Sequence, residues 1–341
     1  MRVKLGYVCE KGSSNLKQSD FQDSTGTYPV FGASGFICNA NFYHQDRPYV
    51  AVVKDGAGIG RAYLLPANSS VIGTMQYLIP KCIVLPKYLY YVVRYMHLEK
   101  YYSGATIPHI YFRDYKNEEF NLDSIKRQTE IIEILGNLEQ VIDNRKQQLS
   151  LLDNFIKARF VEMFRDSDCD CVPLMYLIKE GAGLSYGIVQ PGDDGTGKMG
   201  VLRPVDMVDG KIVTESIKYI DRSIGDSYKK TELTGNELLI TVRGTTGITA
   251  LTDERFVGMN VTRGIAVIRY ECEKVNPIYL NTYLGTEESQ RYIQEHTRGA
   301  TLKQINLSDL RVQQIPLPLR TLQDSFAAFA VQVDKSKVVE V

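Results

Sequence analysis

At 341 residues the chain has room for two ordinary domains and a connector, and its 44% hydrophobic, 23% charged composition excludes a disordered protein. No apolar run approaches the length of a membrane span and residues 1–25 carry no signal-peptide core, so the expected location is the cytoplasm. Net charge is zero, with 13 Lys/Arg against 9 Asp/Glu in residues 1–120 and 17 against 21 in 166–318. Any affinity for nucleic acid must therefore come from local basic loops rather than a global field.

The first 120 residues read as an α+β domain. β-Branched and aromatic runs bounded by glycine and proline predict strands at 49–53, 61–65 and 77–80. A helix is expected over 87–102, with Leu89, Val92, Val93 and Met96 on one face. Between the first two strands lies Lys54-Asp55-Gly56-Ala57-Gly58-Ile59-Gly60. It lacks a complete phosphate-binding fingerprint and is followed by a strand, so a tight hairpin using glycine for positive φ is its expected form, with Gly58 and Gly247 as the glycines in question.

Residues 122–164 form a long predicted helix. With Ile125 at heptad position a, Leu135, Ile142, Leu149, Ile156 and Met163 fall on consecutive d positions, which is coiled-coil spacing. Position a is mixed, with Ile125, Ile132 and Phe160 apolar and Glu139, Lys146 and Asp153 polar. Such a helix is a rod on the order of 65 Å long, and it needs a partner to cover its seam. Asp123 or Ser124 is its expected N-cap.

The polar stretch 165–171 is expected to be a hinge to a second α+β domain. Strands are predicted near 200–202, 238–242 and 264–269, and a helix over 277–294. Pro316-Leu317-Pro318-Leu319 should then open a second rod helix, with Leu319, Leu322, Phe326, Phe329, Val333 and Val338 on its apolar face. It is about half as long as the first. The expected domains are 1–120, the spacer helix 121–165, 166–316, and the short helix 317–341.

The two halves repeat each other. Val52 to Gly60 has the same design as 240–248, and setting Lys54 against Arg243 gives an offset of 189. Pro86-Lys87-Tyr88-Leu89 returns as Pro277-Ile278-Tyr279-Leu280 at 191. Gly104-Ala105-Thr106-Ile107-Pro108-His109-Ile110 returns as Gly299-Ala300-Thr301-Leu302-Lys303-Gln304-Ile305 at 195, an offset kept by Asp114 and Asp309 and by Gln128 and Gln323. Several ordered matches with slowly rising offsets mark a duplication.

Chemistry-bearing motifs are sparse. Six scattered cysteines include one lone C-x-C, Cys169 and Cys171, without a second pair; reduced structural thiols are the reading, zinc the alternative. The four histidines fit no metalloprotease or nucleophile spacing, and no methyltransferase or nuclease signature occurs. The candidates for DNA contact flank the repeated turns: Lys54, Arg61, His109, Tyr111, Arg243, Thr245, Thr246, Lys303 and Gln304. Turn-stabilising roles compete with DNA contact for His109 and Gln304. Tyr28, Tyr43 and Tyr63 could also face a groove, against a half-buried reading in the sheets.

Tyr28-Pro29-Val30-Phe31-Gly32-Ala33-Ser34-Gly35, the two basic glycine turns, Gly299-Ala300-Thr301 through Pro316-Leu317-Pro318-Leu319, and Gln332-Val333-Asp334-Lys335-Ser336-Lys337 together resemble the specificity subunit of a type I restriction–modification system. The resemblance spans essentially the whole chain. It implies two similar target-recognition domains of mixed or antiparallel sheet plus helices, separated by long antiparallel coiled-coil helices. Each domain would read one half of a bipartite double-stranded DNA site, and the helices would set the spacer. It also implies a non-catalytic subunit that holds two modification subunits carrying S-adenosylmethionine, and indirectly restriction subunits using ATP and Mg. No metal site is implied on this chain.

The short second helix departs from the family. Either the chain is a truncated form or another chain supplies the remainder, and exposed seam residues would favour self-association. Two other readings stay open: a fragment of a single-chain restriction–modification enzyme, and a coiled-coil scaffold that does not bind DNA.

Overall fold

The computed structural model describes residues 1–21, 26–104, 107–165, 167–192, 197–208 and 210–337; Ala105 and Thr106 of the repeated turn and Val338 of the second helix lie outside them. The chain divides into two compact units, Met1–Arg145 and Lys146–Val341. Helix Ile125–Phe164 runs unbroken through that division.

In the first unit, strands Cys9–Ser13, Met75–Pro80, Tyr49–Val53 and Ala62–Leu65 form an antiparallel sheet in that order. Tyr49–Val53 is buried along its whole length because both its faces are covered. Val50 and Val52 pack with Leu89 and Val93 of helix Pro86–Tyr95, while Tyr49, Ala51 and Val53 pack with Val71 and Tyr77, as the two-residue period of a strand requires. A smaller sheet pairs Tyr28–Gly32 antiparallel with Gly35–Ala40 and parallel with Ser70–Val71.

The second unit repeats this plan. Leu238–Arg243 sits between Thr245–Leu251 and Ile265–Ile268 in the main sheet. Met199–Leu202 pairs antiparallel with Lys218–Ile220 and parallel with Asn260–Val261. Leu238, Ile240 and Val242 face the helices, and Leu239 faces the opposite cluster.

The duplication extends to individual hydrogen bonds. Arg2–Lys4 pairs with Glu119–Asn121 as Cys171–Pro173 pairs with Gln314–Pro316. Leu122 N–H donates to Met1 O at 2.7 Å, and Leu317 N–H to Asp170 O at 2.9 Å. The Tyr88 hydroxyl donates to Asn121 O, and the Tyr279 hydroxyl to Pro316 O. Burial, then the Asp123 carboxylate that also accepts from it, pushes the Tyr88 phenol to about 12, so it remains a donor. The buried Gln128 amide accepts from Leu85 N–H and donates to Ile83 O and Asp123 O. Gln323 does the same with Asn276 N–H and Pro318 O. The equivalent side chain in each half therefore joins the start of the sheet-covering helix to the start of the following one.

Two expected helices end early, for visible reasons. The first covers Pro86–Tyr95, because His97 adopts left-handed φ of 51°; a short turn Leu98–Tyr101 follows. The stretch 277–294 is two helices, Pro277–Leu284 and Glu287–Glu295. Gly285 closes the first, and the Thr286 side chain caps the second by accepting from Ser289 N–H.

The second rod helix begins at Arg320 rather than Pro316, since Pro316 belongs to strand Gln314–Pro316. Its buried face is Gln323, Phe326, Ala327, Ala330 and Val333. Leu319 is 79% exposed and not part of that face. Within the second unit this helix runs antiparallel to the end of Ile125–Phe164: Phe326 meets Phe160 at 5.1 Å between ring centroids, Phe329 meets Phe155, and Lys337 pairs with Asp153 at 2.5 Å.

The heptad seam is not one uniform stripe. Phe160 is buried with Phe164, Tyr279 and Phe326, and Ile156 and Met163 pack against the same core. Leu149 is half-buried and Ile142 is 53% exposed. In the first unit, Ile131 and Ile132 pack on the core, and Leu135 lines an open groove of about 640 Å³ together with Tyr88, Tyr91, Tyr95 and Met96. The polar a-position residue Glu139 accepts from the Tyr91 hydroxyl at 2.7 Å and pairs with Arg94 at 3.2 Å. Asp153, likewise polar at a, is the partner of Lys337. Polar a positions thus carry specific bonds to neighbouring helices.

Candidate nucleic-acid interface

Each unit carries a glycine turn at the end of its central strand, wide in the first, where pairing resumes at Val52 and Ala62, and tight in the second, where Arg243 pairs with Thr245. In the first, Gly60 N–H returns to Val53 O at 2.9 Å. Gly56 and Gly60 hold φ of +92° and +83°, which only glycine adopts without strain. Gly58 does not have positive φ; the Arg61 guanidinium lies over it, and its Nε donates back to Gly58 O at 3.3 Å. In the second unit Gly244 and Gly247 take positive φ, 84° and 90°.

A returning segment closes one side of each turn. Gly56 N–H donates to Pro108 O and Ile110 N–H to Lys54 O, both at 2.9 Å; Gly244 N–H donates to Lys303 O at 2.8 Å. Gly104 and Gly299 open these segments with φ of +102° and +103°. A Cβ on either would clash with the carbonyl of Ile107 or Leu302, at 2.5 and 2.3 Å. The pairing corrects the register of the repeat. Asp55 lies opposite His109, and Arg243 opposite Gln304, so the residue equivalent to Arg243 is Asp55 and not Lys54. A one-residue slip reverses the faces of a strand, and the buried alternation of Val50, Val52 with Leu238, Ile240 agrees with the corrected register.

The structure brings Lys54, Arg61, His109 and Tyr111 to the rim of the first turn. His109 is held by Asp55, Nδ1 to Oδ1 at 2.7 Å, and Lys54 Nζ lies 3.6 Å from the same carboxylate. The imidazole stacks against Tyr111 at 6.4 Å between centroids, and the Arg113 guanidinium lies 4.8 Å from the Tyr111 ring. With Nδ1 engaged, Nε2 is the nitrogen left for a ligand. Arg61 and Tyr111 are exposed; Lys54 and His109 are half-buried.

At the second turn Thr245 and Lys303 are exposed, and Arg243 and Gln304 half-buried. Thr246 points inward: it is 7% exposed, and its hydroxyl bonds that of Thr297 at 3.1 Å. Gln290 fixes the turn from beneath by donating to Gly247 O at 2.9 Å. Of the other tyrosines, Tyr63 is half-buried with its hydroxyl on Ala33 O, and Tyr28 and Tyr43 stack edge-on at 4.8 Å, Tyr43 being exposed.

Sequence reading missed Asp55, which aims His109, and Arg113, which covers Tyr111. The strand parity that would have matched Asp55 to Arg243 was the available signal. Of the thiols read as structural, only Cys9 is buried; Cys82, Cys171 and Cys272 are exposed. Burial pushes the Cys9 thiol up to about 12, all six cysteines are free, and no metal-binding group of side chains occurs among the described residues. No helix among the described residues is long and apolar enough to cross a membrane.

Two duplicated α+β units, each with a rim of basic and hydrogen-bonding side chains around a glycine turn and joined by a long helix, define a class. The chain belongs to the family of the type I restriction modification DNA specificity domain, which matches residues 1–154 and again 195–338. It is 24% identical over 244 residues to the type I restriction enzyme EcoBI specificity subunit of Escherichia coli, a match covering 63% of this chain and 51% of that protein. The match thus spans about half the length of that curated relative. Its fold is similar to the S subunit of a type I restriction–modification system from M. genitalium, with a TM-score of 0.59 at 12% identity, covering 99% of this chain and 90% of that one. A second solved structure, described as the structural basis of complex assembly and conformational transition of the type I R-M system, aligns with a TM-score of 0.51 at 16% identity over 99% and 90% of the two chains.

Proposed function

We propose that this chain is the DNA sequence-recognition subunit of a type I restriction–modification complex, each unit reading one half of a bipartite double-stranded site. The observation that supports it best is the pair of matched turns, which present different side chains on one frame: Lys54, Arg61, His109 and Tyr111 on one, Arg243, Thr245, Lys303 and Gln304 on the other. Phosphate contacts from the basic members would position each unit, and the exposed hydrogen-bonding side chains would reach base edges. Linking two modest readers raises their joint affinity through effective concentration.

In this reading the chain performs no chemistry. S-adenosylmethionine belongs to two modification subunits that methylate adenine, and ATP and Mg to restriction subunits joined indirectly. The recognition units are 1–120 and 166–316; within the spacer segments 121–165 and 317–341, helices Ile125–Phe164 and Arg320–Lys337 set the gap, dock the modification subunits and offer a surface for self-association. The complex works in the cytoplasm.

The test is equilibrium binding of the full chain to duplex DNA across a salt series. Affinity should fall roughly a thousandfold or more between about 50 and 200 mM salt if six or more phosphates are engaged. A flat salt response, or S-adenosylmethionine bound by this chain alone, would overturn the assignment.

A further inference from the structure

The two units share a frame so closely that the place where they part is informative. Their parallel strand pairs coincide: Val30 lies opposite Ser70 as Val201 lies opposite Asn260, and Ile72 N–H reaches Phe31 O as Thr262 N–H reaches Leu202 O, each at 2.9 Å. Beyond Phe31 and Leu202 the likeness stops. The first unit turns back at once through Ala33 and Ser34, with Gly35 at φ +107°, and puts Phe36 outward, 61% exposed. The second inserts residues 203–217, which contain a two-stranded ribbon pairing Met207–Val208 with Lys211–Ile212.

Both tips lie beside the glycine turns. In the first unit the Tyr63 hydroxyl donates to Ala33 O at 2.8 Å. Tyr63 stands on the strand leaving the turn, on the same face as Arg61 by strand alternation. In the second, Pro204 is pressed against Gly264, where an added Cβ would come within 2.6 Å of its ring and 3.5 Å of Arg243 O.

The stems of both tips carry internal anchors. Phe36 packs edge-on against Phe31 at 6.2 Å. Asp206, fully buried, bonds Arg203 and the Ser216 hydroxyl, and its carbonyl accepts from Val213 N–H, which ties the two stems of the insertion together. Outside these anchors Val205 is 68% exposed and Val208 46%, and Lys211 is exposed. Phe36, Val205 and Val208 are thus available at the tips for contact with a ligand.

We infer that these tips determine the two half-sites: Phe36 reads one, and the ribbon bearing Val208 and Lys211 reads the other. This rests on the chain being a DNA reader. A two-stranded ribbon fits the major groove, where apolar groups meet the thymine methyl and a lysine meets guanine O6 and N7. Beside the turn side chains, the tip of the first unit therefore adds an apolar base contact, and that of the second an apolar contact together with a donor.

The experiment is selection of random-sequence duplex DNA by the full chain, comparing the parent with Phe36→Ala, Val208→Ser and Lys211→Ser; all three sites are exposed, and circular dichroism melting confirms that each variant folds. Phe36→Ala should relax one half-site, with discrimination at one position falling about tenfold, and leave the other intact. Val208→Ser and Lys211→Ser should relax only the other half, Lys211→Ser at a guanine position. Unchanged motifs, relaxation of the same half by both sets, or uniformly weaker binding with the motif retained would overturn the inference. A parent chain that selects no bipartite sequence would instead overturn the DNA-reader assignment, and this inference with it.

Discussion

Gln128 and Gln323 are buried amides that hold equivalent corners of the two units, each satisfying a backbone N–H and at least one carbonyl. Truncating either to alanine strands those groups, and each variant should lose about 1–3 kcal/mol, read as a lower denaturation midpoint. Glu237 anchors the second unit in a pH-dependent way. Burial would raise its carboxyl, but hydrogen bonds from Thr234 and Thr252 and the charge of Arg269 outweigh this and hold it below the usual range. A depressed carboxyl stabilises the fold above the ordinary range of an unfolded glutamate and loses that effect as pH falls through its lower native value. Glu237→Gln should therefore melt well below the parent at neutral pH, and the gap should narrow in acid; a gap independent of pH would contradict the assignment. Neither role is legible in the sequence: the backbone N–H groups that Gln128 and Gln323 satisfy lie more than 40 residues away, and no local motif marks Glu237 as buried. The Lys54–Arg243 pairing was off by one residue because glycine spacing guided it, whereas strand parity fixes the register.

Helix Ile125–Phe164 carries the element-scale consequences. Its length was readable from the heptad pattern, but how deeply its seam is covered was not: the stripe is buried at Gln128 and Phe160 and open between them, where Ile142 is 53% exposed. Phe160 at position a lies in a ring of Phe164, Tyr279 and Phe326. Phe160→Ala should cost the second unit about 3–5 kcal/mol, whereas Ile142→Ala, at a 53% exposed d position, should cost little by the same thermal measurement. Inserting seven residues near Ile142 adds about 10 Å of helix, on the order of three base pairs, and should lengthen the recognised gap without altering either half-site. An unchanged gap would contradict a ruler role. The early helix stops were legible in retrospect: Gly285-Thr286-Glu287 is a stop followed by an N-cap with an acidic first turn. The end at His97 was not, since a left-handed histidine has no sequence signature.

At the scale of the whole molecule, duplication was the strongest signal in the sequence, and it survives in strand register, glycine φ values and individual hydrogen bonds. What the repeat could not reveal was where the two copies diverge, because residues 33–34 and 203–217 match nothing in each other and were silent in the comparison. The central claim is that one chain carries two independent half-site readers at a fixed separation. Genome-wide mapping of methylated adenines in cells carrying this chain with its modification subunits tests it most directly. The account predicts one asymmetric bipartite sequence with a constant gap; methylation at a single uninterrupted motif, or at halves separated by variable gaps, would contradict it.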